Sequence, residues 1–385
     1  MMRTVRLMAL LAAALALSGC MGARELQNLP MVAGVSLDIE PDSPQRILMT
    51  AQIVKPAALA HGGSGAGTSS EKPYLNLQSD GETVFDCFRN LTRMQHGRMF
   101  FNHSDILLFG EDLARRGVDP PLDFFLRSSN VQPNMLLAVV RGQGAQALNT
   151  PASEDKLVAP HISRLIQEQG ETSEAMEITL LQFTNAMISD TQAPMMPLIT
   201  ITENNGVAAH TVEGMAVFKE DRMIGQLSPM ESRGVFWVTG DVQSGIVKIP
   251  LQGGFVSAEI SSARGSFEPV MVDGKLRVKV SVRVTGVVVS VTTGVDAMSY
   301  EIIPVLEKLE EEVIVSEIQA ALDRVREMNT DVYGFGTAVH KGRVMDWSQA
   351  IDQWPVIFPQ LPVDVSVECH IRAGGIIARA VEPKP

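Results

Sequence analysis

The sequence predicts an α+β protein of several domains: a mixed α/β N-terminal region, then an antiparallel sheet region with one long C-terminal helix. Three observations carry this. Strand-like and helix-like segments alternate from Leu29 to Ile188, which reads as mixed α/β. Residues 207–293 are rich in Val, Ile, Thr and Gly, with two-residue alternation in Leu276-Arg-Val-Lys-Val-Ser-Val-Arg-Val284. Apolar residues from Ile302 to Met328 recur at three- and four-residue steps, predicting about 28 residues and roughly 42 Å of helix.

The N-terminus sets the compartment. Arg3 and Arg6 precede an unbroken apolar run, Leu7 to Leu17, which ends in Leu17-Ser18-Gly19-Cys20. A bilayer-spanning helix needs about 20 apolar residues, so residues 1–19 read as a cleaved lipoprotein signal peptide. Small residues at Ser18 and Gly19 open the bond before Cys20 to a peptidase, and the Cys20 thiol is the expected lipidation site. Two or more acyl chains hold a protein stably on a membrane where one is marginal. Cleavage removes Arg3 and Arg6, so the formal charge moves from -12 to -14 over the remaining chain.

Along the rest of the chain, residues 29–55 predict two strands joined by Pro41-Asp-Ser-Pro44. The Gly/Ser stretch 61–70 predicts a loop with nothing to pack. Val84, Phe88, Leu91 and Gln95 mark a helix, and Asp105 to Phe109 a strand. Glu111 to Arg116 predicts a short helix, acidic at its start, basic at its end and stopped at Gly117. Leu122 to Leu126 reads as helix, Met135 to Val140 as a buried strand, and 157–169 and 173–188 as two further helices, the first stopped by Gly170. Past the prolines 194 and 197 the antiparallel region begins, with Gly253-Gly254 and Asp273-Gly274 as turns between strands. The long helix is the one helix expected there; its stripe places Leu306, Val313, Ile318, Leu322 and Val325 in the core and Glu310-Glu-Glu312 on a solvated face. Val363 to Ile371 predicts the last strand. The domain division expected is 20–205 and 206–385, with a possible subdivision near 295.

The chemistry is mostly excluded. With 32 Lys and Arg against 44 Asp and Glu, and no basic cluster, no nucleic-acid partner is expected. Gly142-Gln-Gly144-Ala-Gln-Ala147 follows a strand as a phosphate loop would, but Asn149-Thr-Pro151 ends its helix at once, so it reads as a tight strand-to-helix turn. Gly62-Gly-Ser64-Gly-Ala66 lacks the last glycine of a nucleophile elbow. His61, His96, His103, His161, His210, His340 and His370 are scattered without metal-ligand spacing, and there is no Cys pair at zinc spacing. Cys87 and Cys369 read as buried free thiols. Trp347 and Trp354 read as core, with an exposed partner anchor as the alternative. No catalytic residue, cofactor or metal is therefore expected.

Taken in order, certain segments resemble the Ger(x)C family of spore germination lipoproteins, the C subunits of nutrient germinant receptors. They are the lipobox with Arg24-Glu-Leu26, Val32-Ala-Gly-Val-Ser-Leu-Asp38, Gln52-Ile-Val-Lys-Pro56, and His103 before Ile106-Leu-Leu-Phe-Gly-Glu111. Leu113-Ala-Arg-Arg-Gly117, Leu122-Asp-Phe-Phe-Leu-Arg127 and Gly214-Met-Ala-Val-Phe-Lys219 follow. The series closes with Leu227 and Glu231-Ser-Arg-Gly234, Asp331 with Gly334-Phe-Gly336, and the pair Trp347 and Trp354. Met21 stands where the family usually has an aromatic residue, and 61–70 looks like an insertion. The resemblance implies a non-catalytic lipoprotein on the outer face of the inner spore membrane, partnered by membrane-embedded A and B subunits and by the bilayer through Cys20. The alternative is a solute-binding lipoprotein of a transporter, which would show two similar α/β lobes around a hinge.

Overall fold

The structure is a computed structural model that describes residues 30–60, 72–95, 99–128, 130–152, 155–294 and 299–372. Cys20, residues 24–26, His61, His96 and the 61–70 stretch lie outside the described residues.

An eight-stranded sheet and a four-stranded sheet organise the chain. The first is built from β1 (Val32–Ile39) and β2 (Ile47–Val54), then α1 (Pro56–Ala60), β3 (Tyr74–Gly81) and α2 (Val84–Leu91). There follow β4 (Ile106–Gly110), α3 (Glu111–Arg116), α4 (Asp119–Arg127), β5 (Leu136–Val140), α5 (Gly144–Asn149), α6 (Val158–Gln167) and α7 (Leu180–Met187). β6 (Met195–Asn204), β7 (Val207–Lys219) and β8 (Arg222–Leu227) complete it, in the order β3-β2-β1-β4-β5-β6-β7-β8. Its strands thus come from both sides of residue 205. The centre, β1-β4-β5-β6, is parallel and the flanks are antiparallel. Parallel strands covered on both faces need apolar residues at every position, and every residue of Ile106–Gly110 and Leu136–Val140 is buried. Ile106, Leu108, Ala138 and Val140 pack under α5 and α6, while Leu107, Phe109, Leu137 and Val139 join the core on the opposite face.

After α8 (Pro229–Thr239) the second sheet forms from β9 (Ile246–Leu251), β10 (Gly254–Val272), β11 (Lys275–Val291) and, after the helices, β12 (Val363–Arg372). The expected hairpin turn joins β10 to β11, with Asp273 and Gly274 both at positive φ. Val278, Val280, Val282 and Val284 point inward and the residues between them outward, as the alternation predicts. On the outward face Arg283 lies opposite Glu368 and bonds it at 3.2 Å. This sheet departs from the antiparallel expectation at one place: β12 pairs parallel with β11. A parallel neighbour needs a long crossover. The long helix α9 (Ile303–Glu327) supplies it, followed by α10 (Phe335–Gly342), α11 (Trp347–Ala350) and α12 (Trp354–Ile357).

Other elements differ from expectation too: strand β3 was not expected, the helix begun at Val84 ends at Leu91, and three more differ for a visible reason. Of the helix expected over 173–188, only Leu180–Met187 forms. Ser173 adopts positive φ, and its hydroxyl donates to the Ser244 carbonyl at 2.7 Å; Thr179 and Gln182 then open the helix with a capping box. Strand β6 runs through Pro197, beside the shift in its register with β7 between Pro197 and Ile199, the kind of irregularity where a strand proline is tolerated. Helix α8 interrupts the region expected to be sheet, started by Pro229 and by a capping box between Ser228 and Glu231.

Helix α9 packs against α8, β9 and β12. Leu306, Ile318, Leu322 and Val325 are buried as expected and Val313 is half-buried. Glu310 and Glu317 are buried in the same stripe, which corrects the solvated-face expectation for Glu310. Gly234 sits where the helices cross, and a Cβ there would strike the Glu317 carbonyl and come within 2.7 Å of the Ala321 Cβ.

Leu322→Ala is expected to cost ~2–4 kcal/mol in urea unfolding. Val315→Ala, on the 38% exposed face, should stay within about 0.5 kcal/mol. Gly234→Ala should destabilise by about 1–3 kcal/mol through overpacking. Equal losses at 315 and 322 would contradict the packing.

Candidate functional site

The turn at Gly142 was the one place where the sequence offered a phosphate loop. It lies where the parallel strands end, and its free amides point inward at a carboxylate of this chain. Asp38, 2% exposed at the end of β1, accepts the Gly144 N–H at 2.7 Å and the Ala145 N–H at 2.9 Å. These are the orphan donors of the α5 N-terminus that a phosphate would otherwise take. Burial raises the Asp38 pKa, and the two N–H bonds and the Ser36 hydroxyl oppose it. The next helix is closed the same way: Gln52 Oε1 accepts from Val158 and Ala159, at 3.0 and 2.9 Å, at the start of α6. Both termini are anchored to the sheet from inside, so the expected tight turn is what forms.

Buried acids recur in the second half. Asp331 accepts N–H groups from Gly334, Phe335 and Gly336 at 2.9–3.1 Å and opens α10; burial pushes its pKa up to about 6 against those bonds. This explains the Asp331 and Gly334-Phe-Gly336 spacing as a structural cap. Glu317 receives Arg233 Nε at 2.9 Å and the Trp237 indole N–H at 2.8 Å, with a second bond from Arg233 to its other oxygen. Burial works against the Arg233 charge, and Glu317 more than offsets it. Glu310 is different. It is fully buried against Gly286 of β11, and neither carboxylate oxygen has a hydrogen-bond partner. Burial pushes it up to about 7; the neighbouring Cys369 thiol opposes that rise, and the charges of Glu307 and Glu311 add to it.

The remaining residues stay apart. Cys87 and Cys369 are free and buried, Cys87 pushed up to about 11 chiefly by burial. His161 bonds Asp155 at 2.8 Å, and its ring lies 5.5 Å from that of His210. His210 is buried on the Ala147 carbonyl at 2.9 Å, with its pKa lowered by desolvation. His340 stacks on Trp347 at 5.1 Å, His370 lies 3.2 Å from Glu307, and His103 is exposed. Trp354 is 5% exposed and Trp347 half-buried, both packed in the core as the sequence reading had them. Among the described residues no three His, Cys, Asp or Glu side chains gather as a metal site, and no helix is long and apolar enough to cross a membrane.

Among the described residues, two surface depressions lie beside residues 99–105. One, of about 350 Å³, is polar and lined by Asn102, His103, Asp105, Gln132 and Arg164. The other, of about 560 Å³, is aromatic and lies between α2 and α4. Neither was visible in the sequence, because each joins three separate segments of the chain.

An eight-stranded mixed sheet with internally capped helices, fused to a smaller sheet by a crossover helix, defines an α+β scaffold. Residues 22–201 match the family described as the spore germination protein N-terminal domain, and residues 213–375 match the spore germination B3/GerAC-like C-terminal family. The chain belongs to this spore germination family. It is 23% identical over 389 residues to spore germination protein KC of Bacillus subtilis, covering 95% of each chain. It is 21% identical over 370 residues to spore germination protein B3 of the same organism, covering 95% of this chain and 96% of that one. The crystal structure of the GerBC protein superposes with a TM-score of 0.56 at 17% identity, over 90% of this chain and 99% of that one, and so shares the fold.

Glu310 gives this region a pH dependence. Its folded pKa of about 7 lies above the ordinary 4.5, so between those values the folded chain holds a proton that the unfolded chain has released. Stability therefore falls as pH rises through that window and is flat above it. Glu310→Gln should gain on the parent by on the order of 2–3 kcal/mol between pH 4.5 and 7.5, read from urea midpoints. A constant difference across that range would contradict a buried, unpartnered Glu310.

Proposed function

We propose that the protein is a lipid-anchored, non-catalytic subunit of a spore nutrient germinant receptor, acting through assembly or signalling with membrane-embedded A and B subunits. The observation that carries this reading is the match to both germination families, in order, across residues 22–201 and 213–375. The geometry supports it from another side. The anion-binding helix ends that most resemble a cofactor site are filled by Asp38, Gln52 and Asp331, so these places do the work of holding the fold. Cys20 is the proposed lipid attachment point, and the outer face of the inner spore membrane the proposed location. The two sheets differ in size, strand order and pairing, unlike the paired lobes of a transporter's solute-binding lipoprotein.

Deleting the gene in a sporulating host is expected to abolish one nutrient response and leave sporulation and viability intact, read as loss of optical density after germinant addition. His103→Gln should leave that response in place. An unchanged response to every nutrient after deletion would refute the reading.

Cys20→Ala should give a folded chain that no longer sediments with membranes when the A and B subunits are absent. A variant that still sediments under those conditions would refute the anchor.

A further inference from the structure

Backbone bonds tie the segment leading into β1 to the rim of an aromatic groove. The Pro30 carbonyl accepts the Phe100 N–H at 3.0 Å, and the Val32 N–H returns to the Phe100 carbonyl at 3.0 Å. The neighbours of Phe100 on either side, Met99 and Phe101, line the 560 Å³ aromatic groove between α2 and α4. Four phenylalanines of the chain's 14 meet there. Phe88 is 5.4 Å from Phe101 and 6.0 Å from Phe124, Phe85 is 6.2 Å from Phe124, and Phe85 is 48% exposed at the rim.

Cys20 and Pro30 are ten positions apart in the chain. At about 3.3–3.6 Å per extended residue that stretch reaches at most ~36 Å, so a lipid on Cys20 keeps this groove close to the bilayer. A lipid surface is the poorer occupant. The processed chain carries -14 and is repelled by anionic headgroups. The cations beside the groove are also engaged: Arg127 bonds Asp123 at 2.7 Å, and Arg89 lies 4.9 Å over the Phe85 ring. A concave aromatic cleft between two helices instead suits side chains spaced three and four apart on an amphipathic helix.

We propose that this phenylalanine groove is the docking site for an apolar helical segment of a membrane-embedded receptor subunit, presented at the bilayer surface. The proposal rests on the receptor-subunit reading above.

The test uses the full-length chain in spores that carry tagged A and B subunits. A benzophenone side chain placed at position 85 should crosslink on illumination to A or B, while the same group at Phe255, 54% exposed on the second sheet, should not. Phe85→Asp, at an exposed rim position that leaves the thermal midpoint nearly unchanged, should lower co-purification of the chain with the A and B subunits by about tenfold or more, the effect of removing an aromatic anchor. Adducts only to lipid, or none, together with undiminished co-purification of Phe85→Asp, would overturn the groove and leave the receptor reading standing. If the parent chain itself does not co-purify with A or B, the receptor reading falls and the groove proposal with it.

Discussion

The bond between Arg233 and Glu317 is the constraint on which the rest of the molecule depends. It joins α8, which follows directly on the last strand of the larger sheet, to α9, the crossover of the smaller one. Arg233 and Glu317 side chains are 11% and 5% exposed. Removing one member of such a pair leaves a bare charge in the core and costs about 3–5 kcal/mol. Trp237 uses its indole N–H on the same carboxylate, and Gly234 lets the helix backbones approach closely enough for both bonds. Glu231-Ser-Arg-Gly234 is therefore a single device: Glu231 starts the helix, Arg233 pairs across it and Gly234 makes room.

From that junction one continuous core spreads in both directions. It runs through Val247, Ile249 and Val278 to Val284 of the smaller sheet, and through Phe218, Met215 and Leu198 to Leu107 and Phe109 at the heart of the larger. The same logic governs the helix ends. Asp38, Gln52 and Asp331 each come from a strand or loop and satisfy the amides of a helix that packs on it. Polar groups that could have received a ligand are spent on rigidity, which suits a subunit that presents surfaces.

Much of this is legible in the amino-acid sequence. Helix 111–116 has the predicted ends and its Gly117 stop, because its charges follow the helix dipole. The Asp273-Gly274 hairpin and the alternation before Val284 are set by local turn chemistry and a half-buried face. Helix α8 was hidden because Val235-Phe-Trp-Val238 reads as a strand, although Ser228, Pro229 and Glu231 marked its start. Glu310 was misplaced because apolar periodicity cannot see an acid in the stripe: the buried series is Leu306, Glu310, Ile314, Glu317, Ala321 and Val325, at helical steps. The capping by Asp38 spans 106 residues and leaves no local signal. The aromatic groove is likewise a product of the fold, although Phe85, Phe88 and Phe124 were each visible on predicted helices.

The claim that the chain works as an assembled, non-catalytic receptor subunit is tested most directly by its partners in the native membrane. Tagged parent chain, purified in mild detergent from solubilised spore membranes and analysed by quantitative mass spectrometry, should bring down an A-type and a B-type germination subunit in a fixed ratio across replicate purifications. Recovery of the chain alone, or with the permease and ATPase of a transporter, would contradict the account.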